Sequence, residues 1–413
     1  MVAGPLKRHA LRALPAQSII DTIAEAAHAW TDRALPARVD AVASIASRTG
    51  YSRPVVEFAL DQLFGPITPN ALRATITAEI GSVEVLDRFI SQPSRPDVYA
   101  SPIGNVCIIA SRTTIGVALL PAIYAICAKC DVTVKDREDQ LIGAFFRTLA
   151  DRDDAFAHAA RAQAFSSTDE AAIDVSEFQC IVAFGKNKTL SRIRGACASE
   201  ARFVGFGTRA SVGYICNETA QDSKALARTV AGAACDLVLY DSEGCMSLHV
   251  LFVESPVNLE SVAHELASAV GNAAREFPIG ERDASVAFHV AGIKAAAAFR
   301  QSLGNGTILS DDAHSYAIVI DRIADQPPPF APRCINVVPV QHPGDALHYL
   351  EKYDIAVEAF AASEPREDVI EKAIESGAVR LTRFGELQKP PASGHHGGRP
   401  QIADFIRWID REL

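Results

Sequence analysis

No cluster of lysine and arginine occurs along these 413 residues, and the net charge is -10. Contact with nucleic-acid phosphates needs concentrated positive charge, so that class of partner is set aside. Also missing is any uninterrupted apolar run of about 18 residues, the length that crosses a bilayer as a helix. The first residues carry Lys7, Arg8 and Arg12 without the continuous apolar stretch of a signal peptide. A cytoplasmic protein with no membrane span is therefore expected. A disulfide framework is not indicated either: the nine cysteines are an odd number, and most sit in apolar runs, which fits reduced thiols. Cys127 and Cys130 have the spacing of half a metal site, but no second Cys-x-x-Cys or His-x-His follows, so no metal is expected. What is present is an ordinary globular composition, 48% hydrophobic and 22% charged, at a length suited to two or three domains.

Helical spacing runs through 17–30, 35–48, 53–63 and 70–90, with breaks marked by Pro54 and Pro69. From residue 98 strands and helices alternate: strands over 104–110, 132–135, 180–184 and 202–206, helices over 116–130, 141–149 and 189–198. That succession predicts a parallel, doubly wound sheet, whose ligands lie beyond the carboxyl ends of the strands. Three such ends stand out. The first opens into a polar loop over 111–116. The second offers Lys135, Arg137 and Glu138, which read equally as a solvated charge group or as a hold on a ribose. The third carries Gly205, Gly207 and Gly213, either tight turning or close approach of backbone amides to a phosphate. The Gly-x-Gly-x-x-Gly fingerprint is absent, because position 210 is alanine. Strands over 315–321, 336–339, 355–360 and 379–383 follow later, interleaved with helices over 259–275, 285–303, 345–353 and 367–376. His395 and His396 read as turn residues near a cleft, and 401–413 as an amphipathic helix.

Cys245 has the most distinctive setting. Asp241, Ser242, Glu243 and Gly244 form a turn before it, and Met246, Leu248, Val250 and Phe252 alternate after it as a strand does. A thiol where a loop re-enters a strand is placed to react, although free cysteine is usually a small buried hydrophobe.

The order of these parts resembles the aldehyde dehydrogenase superfamily and, more closely, its LuxC-type fatty acyl-CoA reductases. The resemblance is carried by residues 79–89, 116–120, Phe206 and Gly207 with Ser211, 243–249, and 395–400. It implies an α/β, aldehyde-dehydrogenase-like fold: a helical N-terminal segment (1–97), a doubly wound nicotinamide-cofactor domain (98–236), a second α/β catalytic domain carrying Cys245 (237–390), and a C-terminal return helix (391–413). It implies that Cys245 attacks an acyl thioester of CoA or a carrier protein, and that hydride from a reduced nicotinamide then releases an aldehyde. Thr113 stands where the family has an asparagine resembling an oxyanion donor, and Thr208 where it has the histidine of Gly-His-Lys or Gly-His-Arg; both are expected in the catalytic set. Lys135, Arg137 and Glu138 are implied at the adenosine ribose, and Gly205, Gly207, Ser211 and Gly213 near the pyrophosphate. Arg137 suits the 2'-phosphate of NADP and Glu138 the free hydroxyls of NAD; the resemblance favours NADPH, with NADH the alternative. A later family glutamate maps to Asp321 or Asp325. Dehydrogenases that hydrolyse their acyl-enzyme carry Glu-Leu-Gly-Gly, and the corresponding span here, read as 231–236, lacks the glutamate, which fits a reductase. The departures at Thr113 and Thr208 leave open a catalytically weak relative that binds acyl groups or a partner as a scaffold, and an aldehyde-oxidising dehydrogenase is the third reading. A homo-oligomer and an acyl-transferring partner enzyme are further expectations of the resemblance.

Overall fold

The computed structural model describes residues 10–413 apart from 94, 112–113, 137–140, 165–173, 257, 282, 312–314 and 323. The chain divides into two units: 1–49, 56–207 and 391–413 form the first, and 50–55 with Thr208–Pro390 the second. The break falls at 207/208, not at the expected 236/237. The cause is strand pairing: Ala210–Ile215 lies between Leu248–Glu254 and Val357–Ala362, so everything from Thr208 onward is built into the sheet that carries Cys245.

The first unit holds a five-stranded parallel sheet in the order Ala160–Ala164, Asp131–Asp136, Asn105–Ile109, Cys180–Phe184, Arg202–Phe206. Winding reverses between Asn105–Ile109 and Cys180–Phe184, the switch point where doubly wound sheets take ligands. One face is filled by Cys107, Ile109, Ile181, Ala183, Leu190 and Ile193. The N-terminal helices Ala16–Ala29, Pro36–Thr49, Arg53–Phe64 and Pro69–Ile80 follow their apolar spacing. Trp30, fully buried, stacks on Phe64 at 4.9 Å and meets Phe145 edge-on at 6.4 Å. The fourth helix stops ten residues short of the expected 70–90: Gly81, at φ 86, takes the left-handed cap that glycine adopts without Cβ strain. A short 3-10 turn, Val83–Leu86, and a strand, Ile90–Gln92, take its place.

The expected C-terminal helix is a strand. Ile402, Phe405, Ile406 and Ile409 have helical spacing, yet Ile406–Arg411 pairs antiparallel with Arg95–Pro102, from Ile406 opposite Pro102 to Arg411 opposite Asp97. An unfilled strand edge outweighs local periodicity, because a strand here pairs the open N–H and C=O groups of Arg95–Pro102, which a helix bonded within itself would leave unpaired. The turn before the strand is anchored by Glu79, whose carboxylate accepts the N–H groups of Gln401 (2.6 Å), Ile402 (2.8 Å) and Ala403 (3.2 Å). Cys130, fully buried, donates its thiol to the Phe405 carbonyl at 3.3 Å. The sequence block around Glu79 is thereby joined to the residues that directly follow 395–400.

The second unit holds a seven-stranded sheet in the order Gly306–Ser310, Ala317–Asp321, Cys334–Val340, Leu248–Glu254, Ala210–Ile215, Val357–Ala362, Arg380–Thr382. Only the Gly306–Ser310 pairing is antiparallel. Every residue of Leu248–Glu254 is buried, as a central strand covered on both faces requires. Helices Ser223–Val238 and Leu259–Glu276 pack against each other on this unit. Among the described residues, no helix is long and apolar enough to cross a membrane.

Candidate active site around Cys245

Three residues ahead of the cysteine the backbone is forced into an unusual conformation. Tyr240, Asp241 and Ser242 have φ of 54, 48 and 59°, the left-handed region that side chains other than glycine disfavour by about 1–2 kcal/mol each. Neighbouring groups hold them there. Ser242 Oγ donates to the Leu237 carbonyl at 2.6 Å and accepts the Arg333 N–H at 3.1 Å. The Arg333 guanidinium, fully buried, donates through Nε to Asp241 Oδ1 at 2.6 Å and through Nη2 to the Phe277 carbonyl at 2.8 Å. The ring of Tyr51 meets Tyr240 edge-on at 6.4 Å. With the turn clamped, Gly244 and Cys245 emerge at the amino-terminal edge of the sheet, just before Leu248–Glu254. This differs from the first unit, whose ligand side is expected at the carboxyl ends.

Cys245 is half-buried, whereas Cys107, Cys127, Cys130, Cys180, Cys216 and Cys334 are sealed. Its carbonyl accepts the Ser211 hydroxyl at 2.9 Å, and Ser211 Oγ in turn accepts the Ala359 N–H at 3.2 Å. Ladder register breaks at Ser211 on both sides: between Ser211 and Val212 toward Leu248–Glu254, and between Val357 and Phe360 toward the other neighbour. Such bulges re-aim side chains and are frequent beside active sites. Burial pushes the thiol up to about 12; the negative charge of Glu358 adds to this, while the backbone N–H groups of Cys245 and Met246 and the charge of Arg209 oppose it. The resting sulfur is therefore a thiol, not a thiolate. Glu358, itself raised by burial, pairs with Arg209 at 3.7 Å, and Arg209 Nη1 donates to the Val357 carbonyl at 2.7 Å. Burial lowers His249 to about 4, which leaves it a weak base, and its ring lies against Phe330 at 5.1 Å.

In the first unit, Lys135 is buried at the carboxyl end of Asp131–Asp136, with Nζ 3.4 Å from the Asp174 carbonyl. Thr113, Arg137 and Glu138 lie outside the described residues. The glycine stretch is not one turn. Gly205 lies in the strand Arg202–Phe206 of the first unit, Gly207 is the residue at which the chain leaves that unit, and Gly213 lies in Ala210–Ile215 of the second. A Cβ on Gly207 would sit 2.4 Å from Asn187 Oδ1, and one on Gly213 would sit 2.4 Å from the Phe384 ring. Packing thus accounts for the glycine at 213. Ser211, expected at the pyrophosphate, is fully buried and committed to Cys245. Thr208 is exposed. His396 stacks on Phe206 at 4.6 Å, beside Phe184. Burial lowers it to about 4.

A family model described as acyl-CoA reductase (LuxC) matches residues 11–408. The chain belongs to this family. No curated protein matches the sequence. Among solved structures, the LuxC-family chain is similar to an NAD-dependent benzaldehyde dehydrogenase from Corynebacterium glutamicum, with TM-score 0.70 and 16% identity over 98% of this chain and 87% of that one. It is similar also to an aldehyde dehydrogenase from Physcomitrella patens solved with succinate, with TM-score 0.74 and 12% identity over 97% and 86%. A third is a glyceraldehyde-3-phosphate dehydrogenase from Methanocaldococcus jannaschii complexed with NADP, with TM-score 0.71 and 13% identity over 97% and 90%. The fold of this LuxC-family chain is accordingly that of the aldehyde dehydrogenases.

The span 231–236, where the missing glutamate was expected, lies inside the helix Ser223–Val238 and not on a strand beside the sulfur. The strand residue bonded to the Cys245 loop is Ser211. Asp236, the one carboxylate in that span, is fully buried and accepts the N–H groups of Gly385 (2.6 Å) and Leu387 (3.1 Å). Gln388, held by the same packing, donates to Ser247 Oγ at 2.8 Å, which ties this segment to the strand after Cys245. Burial raises Asp236 to about 7. A carboxyl raised in the folded state favours folding while it is protonated, so its contribution is full below the unfolded value near 4 and is lost as pH rises toward 7. Relative to Asp236→Asn, which does not titrate, the wild type is expected to lose roughly 2 kcal/mol between pH 5 and pH 7 and then to run parallel. Melting curves of both proteins across pH 5 to 8 check this; parallel curves throughout exclude it.

Proposed function

We propose that this protein reduces an acyl thioester, carried on CoA or a carrier protein, to an aldehyde through an acyl-enzyme on Cys245, using a reduced nicotinamide. The supporting observation is the setting of Cys245: a half-buried thiol on a clamped turn, with the N–H groups of Cys245 and Met246 facing its sulfur. The same backbone donors can stabilise an oxyanion, a task worth about a hundredfold to a thousandfold per donor. Sulfur addition to the carbonyl gives a tetrahedral species, and collapse expels the carrier thiol to leave the Cys245 thioester. The residues present fit a nicotinamide dinucleotide: a parallel sheet with a switch point, and a buried lysine, Lys135, at the adjacent strand end, where it would meet the adenosine ribose. When bound, that cofactor supplies the hydride. NADPH is the preferred form, on the family resemblance.

Incubation with radiolabelled acyl-CoA, without reductant, is expected to place about one label per chain on the peptide containing Cys245, and none in Cys245→Ser. Adding NADPH should discharge the label as aldehyde. An unlabelled wild type, or label that persists in Cys245→Ser, overturns the reading; discharge as free fatty acid would show a hydrolase instead.

A further inference from the structure

The second sheet has a switch point of its own, at the edge away from the cysteine. From Ala210–Ile215 the chain passes to its neighbour on one side, Leu248–Glu254, whereas from Val357–Ala362 it passes to its neighbour on the other, Arg380–Thr382. Where winding reverses in this way, a crevice opens outside the carboxyl ends of the two strands. Ser363 spans it: its N–H donates to the Tyr214 carbonyl at 3.0 Å, and its Oγ accepts the Cys216 N–H at 2.9 Å. Beside Ser363 lies a cavity of about 200 Å³. Val369, Ile370 and Ala373, from the helix Glu367–Glu375, supply much of its apolar lining, with Phe360 and Leu381 from the two strands. Polar side chains enter the lining only at Ser363, Thr382 and Arg383. The length of the strands, about 20 Å for the seven residues of Leu248–Glu254, separates this edge from the turn that carries Cys245.

Arg383 sets the chemistry of this cavity. Its side chain is exposed, and among the described residues its guanidinium has no hydrogen-bond or ion-pair partner. Arg366, three residues beyond Ser363, is by contrast committed, reaching Glu254 at 2.7 and 2.9 Å and Asp368 at 2.6 Å. No acidic side chain lines the cavity, so the Arg383 charge faces it without a counter-charge. We propose that the cavity binds a short aliphatic carboxylate, its chain among the apolar side chains and its carboxylate on Arg383, beside the hydroxyls of Ser363 and Thr382. A neutral ligand would leave the cation unused, and a polyphosphate would need more than one cation and a polar bed. At about 30 Å³ for each methylene-sized group, the share of one water in the liquid, the space takes about six of them. No thiol, imidazole or carboxylate lines the cavity, so the occupant is held there and not transformed.

Hexanoate titrated calorimetrically into the full chain is expected to bind with a Kd on the order of 1 mM. Hexanol should bind about tenfold more weakly or worse, because it cannot make the charge-assisted bond to Arg383. Arg383→Met is expected to weaken hexanoate about tenfold or more and to remove its preference over hexanol. Ile370→Trp, which fills the cavity, should abolish binding of both. Amide hydrogen exchange locates the site: hexanoate should slow it in 360–383 and leave 240–249 unchanged. No binding at about 20 mM, well above the expected constant, overturns the proposal. So does hexanoate binding that Arg383→Met leaves intact, hexanol binding equal to that of hexanoate, or protection confined to 240–249. Should Ile370→Trp fail to fold, Arg383→Met, at an exposed position, decides alone. The titration uses neither CoA nor nicotinamide, so hexanoate bound by a chain whose Cys245 takes no acyl label counts against the reductase reading only.

Discussion

Arg333→Met is expected to lower stability by about 3–5 kcal/mol, because it leaves the Asp241 carboxylate buried without its cation. The pair is sealed, with side-chain exposures of 0% for Arg333 and 9% for Asp241. The guanidinium also donates to the Phe277 carbonyl, and its backbone N–H to Ser242 Oγ, so it is the tie that holds three left-handed residues in place. For a unit of this size the loss corresponds to a melting temperature lower by roughly 6 to 20 °C. Calorimetry of Arg333→Met, Asp241→Asn and the double variant measures it. The double should be less destabilised than the sum of the singles, since the uncompensated charge is gone from it. A single variant within about 1 kcal/mol of wild type would mean that the turn keeps its shape without the clamp.

Cys245→Ala is the counterpart, with a large kinetic effect and a small thermodynamic one. Consumption of NADPH with acyl-CoA is expected to fall on the order of 10⁴-fold or more, the scale seen when a covalent nucleophile is removed. Melting should stay within about 1 kcal/mol of wild type, because the side chain is half-buried and loses one sulfur. Absorbance loss at the nicotinamide band, over a series of acyl-CoA chain lengths, gives the first number and also the preferred acyl length. Residual turnover within tenfold of wild type would remove the sulfur from the mechanism.

Local pattern carried much of the architecture. Cys180–Phe184 and Arg202–Phe206 fall on the residues that the apolar runs predict, and the alternation after Cys245 is the central strand Leu248–Glu254. Cys180–Phe184 and Leu248–Glu254 are continuous in sequence and buried on both faces, so their composition is dictated where they stand. Apart from the helix that stops at Gly81, the misreadings are of one physical kind. Ile406–Arg411 has helical spacing and becomes a strand because Arg95–Pro102, some three hundred positions earlier, offers an edge. Gly205, Gly207 and Gly213 look like one loop because nothing local shows that the chain leaves one sheet and enters another between them. Ser211 reaches the cysteine only through pairing of strands far apart in sequence.

The Glu79 anchor ties the last stretch of this sequence to its first hundred residues. During synthesis, the small sheet of Ile90–Gln92 and Arg95–Pro102 must wait with a bare edge until the second unit has left the ribosome and 391–413 can follow. An open edge of that kind invites pairing with foreign chains. The nascent protein is therefore exposed to aberrant pairing at this edge until 391–413 is made.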